Sequence, residues 1–423
     1  MSEHSTNWAG NYTYRAAQLH RPKTVEQVQE LVAHSSKLKA VGTRHSFNDI
    51  ADSSGDLVSL EHFNQILELD SDYHTVTVEA GVRYGELGRW LHREGFALHN
   101  LASLPHISIA GACATATHGS GDQHGNLATA VSSMEMVTAS GEIIVLSREK
   151  NREHFQGAVV GLGGLGVITK LTLNISPTFE MRQDVYENLT LAQLEGHFDE
   201  LFSSGYSVSL FTDWRNPMFN QVWLKRNVTA GESFKPESTL FGATLAVSNL
   251  HPIASLSAEN CTEQMGISGP WHERLPHFRL DFTPSSGEEL QSEYLIPREH
   301  AFAALSTIDR LRDHVAPLLQ ISEVRTIAAD NLWMSPCYQQ ACVGIHFTWK
   351  KDWDGVSKAL PLIEERLAPF DARPHWGKLF TMSPERIGSL YKKLPEFQAL
   401  LRHYDPQGKF RNAFLDKYIL NMG

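Results

Sequence analysis

The chain is poor in cysteine, in basic charge and in long apolar runs, and each shortage removes a class of protein. Its four cysteines among 423 residues, Cys113, Cys261, Cys337 and Cys342, stand far apart or at no metal-ligand spacing. That excludes a disulfide framework, and no metal site is expected. Lys and Arg total 37 against 48 Asp and Glu, a formal net charge of −11. Clustered cations that could neutralise phosphates are missing, so no nucleic-acid partner is expected. No apolar stretch approaches the roughly 18 residues of a membrane span, and no membrane partner is expected. Residues 1–12, MSEHSTNWAGNY, have neither a basic n-region nor an apolar h-region. A reducing cytoplasm is therefore the expected compartment. Internal repeats and low-complexity tracts are absent, and the 21 histidines are scattered.

What remains, 42% hydrophobic and 20% charged, is the composition of a folded globular protein. The length predicts two domains rather than one core. Thr24-Val25-Glu26-Gln27 reads as a capping box opening a helix to about Ser35. Lys37–Val41, Asp56–Leu60 and the alternating Thr75–Ala80 read as strands, and Tyr84–Glu94 as a helix stopped by Gly95. Ser133–Leu146 reads as a hairpin turning at Ser140-Gly141, and Leu165–Ile175 as a further strand. From about Thr178 the strands lengthen: Ser207–Phe211, Gln221–Lys225, Ser322–Ala328 and Cys342–Trp349. The stretch Glu232–Met265 has little periodicity. Ser383-Pro384-Glu385 marks a late helix start. The fold class is α+β, a mixed unit over 1–178 and a strand-rich unit over 179–375, with 376–423 returning to the first.

Gly161-Leu162-Gly163-Gly164-Leu165-Gly166 fits the letter of a dinucleotide fingerprint, but that loop must open a helix. Here VITKLTLNI follows, and its alternation demands a strand. A better cofactor signal is LASLPHISIAGACATATHGSG, Leu101 to Gly121. Its small side chains let backbone N–H groups approach an anion, while Leu104, Ile107 and Ile109 anchor it.

The stretches VGTRHSFNDIAD (41–52), NLASLPHISIAG with ATHGSG (100–121), SVSLFTDW (207–214), NCTEQMG (260–266), SGPWHERLPHF (268–278), RPHWGK (373–378) and DPQGKFRNAF (405–414) are similar to the vanillyl-alcohol-oxidase-type FAD family, and within it to the bacterial alditol oxidases. The resemblance spans nearly the whole chain. It implies two FAD-binding subdomains, a substrate cap of mixed sheet, and FAD joined covalently to His45. Arg44 departs from it, since many relatives carry Gly there. The cofactor would be held by Val41, Gly42, Thr43, Arg44, His45, Ser46, Phe47, Ser103, Ser108, Gly111, Thr115, Ala116, Thr117, His118 and Ile168. Asn412 would support the flavin side.

Flavin-dependent alcohol oxidation also needs a proton acceptor and hydrogen bonds that fix the carbinol carbon. Glu323 and Arg325 share one face of their strand, as do His346 and Thr348 of theirs. The resemblance places Ser103, Glu323, Arg325, Thr348 and Lys378 on the polyol and His346 beside it. Glu323 can accept from vicinal hydroxyls while Arg325 donates. For catalysis His346 is favoured as base, assisted by Lys378, with Arg325 orienting. Ala102, beside Ser103, is expected to leave oxygen a path to the flavin. The implied reactants are an alditol such as xylitol or sorbitol and O2, yielding H2O2, on a monomer. An aldonolactone oxidase and a flavin-free carbohydrate-binding protein remain alternatives.

Overall fold

The computed structural model describes residues 6–228, 235–282 and 288–421. Among them four sheets organise the chain. A parallel sheet of three strands, Leu19–His20, Asp56–Ser59 and Leu38–Val41, has Asp56–Ser59 at its centre. Behind it stands an antiparallel sheet of five, in the order Ile66–Asp70, Thr75–Glu79, Val167–Asn174, Val131–Val137, Ile143–Ser147. The alternation read in TVTVE is real, for Val76 and Val78 are fully buried between half-buried threonines. The glycine run forms a left-handed turn at Leu162 and Gly163, and the strand Val167–Asn174 follows it.

One expected detail needs correction. Thr24 Oγ1 accepts from the Gln27 amide, but the Gln27 side chain accepts from Lys23 N instead of returning to Thr24. Only half of the capping box exists. A complete box closes Thr190 on Gln193 at the helix Leu191–Ser203, which sequence reading did not single out.

The third element is a ten-stranded sheet. Its central strands are Glu180–Thr190, Met218–Val228, Ser207–Thr212, Leu319–Ile327, Cys342–Lys350 and Glu289–Pro297, in that spatial order, all antiparallel. Helices Ala301–Asp309 and Trp353–Leu367 lie along one face, with Tyr294 donating to Glu364. The opposite face carries polar side chains toward a cavity. Glu180–Thr190 and Glu289–Pro297 were not expected as strands. The first buries the unbroken run Met181–Tyr186 and the second nearly every residue, polar ones included, so neither shows the alternation by which a half-exposed strand is recognised.

Of the unperiodic stretch, residues 232–234 lie outside the described residues. The rest holds the short strands Thr239–Leu240 and Ala243–Leu245 and one turn of helix, Ala258–Asn260. The sheet ends at Arg373–Pro374, and the chain then runs back to the first unit, where Leu38 N donates to Lys409 O and Lys37 Nζ to Gly408 O. No helix among the described residues is long and apolar enough to cross a membrane.

Candidate active site

A cavity of about 590 Å³ lies between the first unit and the polar face of the large sheet, and a cleft of about 520 Å³ adjoins it across the residue 41–45 loop. Together they suit a long ligand.

One wall is backbone. The loop leaving the strand Leu38–Val41 meets a short helix, Ile109–Ala114, that sequence reading missed inside its glycine- and alanine-rich stretch. Close approach explains the small residues: a Cβ on Gly42 would come within 2.5 Å of Ser108 Oγ, and one on Gly111 within 2.9 Å. Among the described residues the amides of Gly42 to Ser46 donate to no protein carbonyl. Consecutive unpaired N–H groups beside a cavity form an anion cradle, so this wall fits the pyrophosphate of FAD. Arg44 adopts φ 61, the left-handed region where glycine is unstrained.

His45 stacks on Trp8 with ring centroids 5.2 Å apart, and its Nδ1 lies 3.0 Å from Thr43 Oγ1. Burial pushes its pKa down to about 4, leaving a neutral imidazole with a nucleophilic nitrogen at neutral pH. Asn48 donates to the carbonyls of Trp376 and Lys378, which ties the His45 loop to the opposite wall.

That opposite wall is made of side chains set by strand register. Glu323 pairs with His346, and His346 with Glu293, so three functional groups stand in one row across three strands. Glu293 is the hub. Lys378 Nζ lies 2.6 Å from its Oε2, Arg325 Nη2 2.8 Å from its Oε1, and His118 Nε2 3.3 Å from Oε1. Gly344 keeps this packing possible, since a Cβ there would approach Glu293 Oε1 to 3.1 Å. Burial alone would raise the Glu293 pKa, but Lys378, His118 and Arg325 outweigh it and hold the carboxylate ionised well below its usual range.

His346 Nδ1 lies 2.7 Å from Lys378 Nζ, and its Nε2 3.0 Å from Thr348 Oγ1. With the ammonium donating to Nδ1, Nε2 carries the proton toward Thr348. Burial and then Lys378 bring the His346 pKa down to about 4, and burial also lowers that of Lys378. Arg325 Nη1 donates to Ser103 Oγ at 3.2 Å. Glu323 Oε1 takes a 2.6 Å hydrogen bond from His277 Nε2, while Oε2 accepts from no described residue and faces the cavity. Although burial opposes ionisation, Arg325 and His277 keep Glu323 a carboxylate.

The structure thus brings Ser103, Glu323, Arg325, His346, Thr348 and Lys378 together in one cavity. Of the expected cofactor residues, three stand outside it. Ile168 lines the adjoining cleft. Ala116, at φ 54, turns its methyl into the core. Asn412 spends its amide on the carbonyls of Asp49, Ile50 and Asp52 and caps the helix Ala413–Tyr418, so it braces the loop from outside the cavity. Sequence reasoning missed Glu293, His277 and Lys225. A strand assignment for 289–297 would have exposed Glu293 as the residue facing His346.

Comparison with known proteins fits this geometry. Residues 16–147 match a model described as FAD binding domain, and residues 286–418 one described as D-arabinono-1,4-lactone oxidase. An alditol oxidase of Streptomyces sp. (strain IKD472 / FERM P-14339) is 50% identical over 98% of this chain and 99% of its own. An L-gulono-1,4-lactone dehydrogenase of Mycobacterium tuberculosis is 28% identical over 98% of each chain. In three dimensions, cholesterol oxidase from B. sterolicum superposes with a TM-score of 0.76, covering 98% of this chain and 96% of that one, at 16% identity. That likeness shows the fold.

Proposed function

This chain belongs to the alditol oxidase family of FAD-dependent enzymes, and we propose that it oxidises the terminal hydroxyl of an alditol such as xylitol or sorbitol, with oxygen as acceptor. The observation that carries the reading is the wall around Glu293. It offers an open carboxylate oxygen on Glu323, the guanidinium of Arg325 and the hydroxyls of Ser103 and Thr348, the mixture of acceptors and donors that a polyol needs. A site of this kind discriminates against deoxy analogues, whose loss of a hydroxyl leaves buried polar groups unpaired.

Residues 42–46 and His45 would hold FAD, which when bound would supply hydride acceptance from the carbinol carbon and electron transfer to O2. The chain's own groups handle the proton and the alignment. Lys378 stands where it can donate to the substrate oxygen, and its pairing with His346 Nδ1 means that the departing hydroxyl proton enters a coupled lysine–histidine pair rather than a free imidazole. Glu293 balances the positive charge of that pair. Ala102 is buried against the cavity and adds only a methyl beside Ser103, which favours oxygen access. All these groups come from one chain, so the working unit proposed is a monomer. The four cysteines are free and buried, which suits a reducing cytoplasm.

The lactone-oxidase match over the last third favours a second reading, an aldonolactone as substrate. A screen with peroxide detection separates them. Xylitol and sorbitol should turn over at least tenfold more efficiently than gulono- and galactonolactone, and the reverse order would replace the alditol reading.

A further inference from the structure

At the edge of the substrate wall a buried lysine and a histidine that lines the cavity form a pair that the reaction does not use. Lys225, on the strand Met218–Val228, is fully buried. Its ammonium has three N–H groups and three acceptors: Leu275 O at 2.5 Å, Pro276 O at 3.0 Å and His277 Nδ1 at 3.1 Å. A donor on Nδ1 fixes the His277 tautomer, so Nε2 carries the hydrogen that bonds Glu323 Oε1 at 2.6 Å. The His277 ring is boxed edge-on by Trp223 and Phe211, and its backbone amide donates to Ser103 O at 3.1 Å. Thr262 bonds Pro276 O and pins the same strap from behind. One histidine therefore touches two groups assigned to the polyol, Glu323 through its ring and Ser103 through its main chain.

We propose that Lys225 and His277 are a positioning pair that aims the free oxygen of Glu323 and the hydroxyl of Ser103 at a terminal 1,2-diol, and so sets how strictly the site demands the hydroxyl next to the one oxidised. The proposal rests on the reading of Glu323 as a polyol acceptor. Lys225 does not line the cavity, and the His277 ring spends its two nitrogens on Lys225 and Glu323. Their action passes through Glu323, whose rotamer would otherwise be free to turn wholly onto Arg325, 3.5 Å away at Nε.

The pair also has a pH signature. Lys225 is faced by His277 and Arg274 from the strap, by Glu323 and Arg325 from the strand Leu319–Ile327 two places across the sheet, and by Cys261. Burial, opposed by Glu323, brings its pKa down to about 7. Once it loses a proton it has two N–H groups for three acceptors, His277 Nδ1 loses its donor, and the grip on Glu323 slackens. KM for a 1,2-diol terminus should then rise above neutral pH while kcat does not fall in step.

The test compares flavin-loaded wild type, Lys225→Met, His277→Gln and His277→Leu on xylitol and on a 2-deoxypentitol, with Glu323→Gln as reference. Lys225→Met and His277→Leu should raise KM for xylitol about tenfold, leave kcat within about twofold, and shrink the kcat/KM preference for xylitol over the deoxy compound. The rise of KM with pH should vanish in Lys225→Met. His277→Gln retains an acceptor and a donor and should restore most of the preference, which a merely structural role would not predict. Should Lys225→Met fail to fold, the two His277 variants decide. An unchanged preference in His277→Leu while Glu323→Gln loses it overturns the positioning pair and spares the polyol site. An unchanged preference in Glu323→Gln as well takes both down.

Discussion

The two walls of the cavity reach the same end by opposite means. On the wall formed by residues 41–47 and 101–118 the amides of Gly42 to Ser46 are offered to a ligand, and Gly42 and Gly111 lack side chains so that the two stretches of chain can approach. On the facing wall the offered groups are side chains, Glu323, Arg325, Lys378 and His346, held by one another around Glu293 and placed by strand register. A backbone wall tolerates replacements away from its close approaches at Gly42 and Gly111, since the amides remain. A side-chain wall does not, because each buried charge lacks its counter-charge once the partner goes.

The largest expected effect is the one exception on the backbone wall. His45→Ala should leave no flavin fluorescence on the acid-precipitated or electrophoresed polypeptide, where the wild type keeps it. Flavin remaining on the His45→Ala band would move the attachment elsewhere. Next is the hub of the other wall. Glu293→Leu leaves Lys378 and Arg325 buried without their carboxylate and should cost about 3–5 kcal/mol of stability in denaturant unfolding. A loss below about 1 kcal/mol would show that the cluster is not a mutually dependent unit.

Acid should weaken both walls. Folded pKa values of His45, His277 and His346 lie near 4, below the unfolded 6.5. Each therefore contributes stability that is present above pH 6.5 and is lost as pH falls from 6.5 toward 4, because the unfolded chain takes up protons first. Glu293 adds loss in the same direction, below its unfolded value of about 4.5. In short assays that outrun unfolding, the acid limb of kcat/KM should fall near pH 4 rather than 6.5, and the alkaline limb of kcat, which Lys225 does not set, should lie below an ordinary lysine value and disappear in Lys378→Met. An acid limb near 6.5 would mean that His346 is solvated in the working enzyme.

The smallest effect is expected at Arg44. Glycine there would relieve the left-handed strain at φ 61, so Arg44→Gly should change stability by no more than about 1 kcal/mol and leave flavin retention intact.

The same contrast explains what could be read from sequence. Composition alone pointed to the backbone wall, because a run of Gly, Ala, Ser and Thr anchored by Leu104 and Ile107 is local. The helix Ile109–Ala114 within it escaped, being six residues long, without a side-chain capping bond from Ser108 and without an amphipathic period. On the side-chain wall, period two found Glu323 with Arg325 and His346 with Thr348, since both members of each couple share a strand. Glu293, His277 and Lys225 were missed because their partners are non-local. Lys225 meets His277 across 52 positions, and Glu293 meets Lys378 across 85. The support from Asn412 is likewise non-local, as its ties to residues 49–52 span the chain's length and lie outside the cavity.

Both walls must act together on one substrate, and a stopped-flow experiment asks for that directly. Flavin-loaded protein is mixed anaerobically with xylitol, and the flavin absorbance is followed before and after air-saturated buffer is added. The account predicts that xylitol bleaches the flavin and that oxygen restores it rapidly with one H2O2 per turnover, restoration being slowed far more than bleaching in Ala102→Val. A flavin that xylitol leaves unbleached, or a reduced flavin that oxygen restores slowly while a quinone restores it fast, would contradict it.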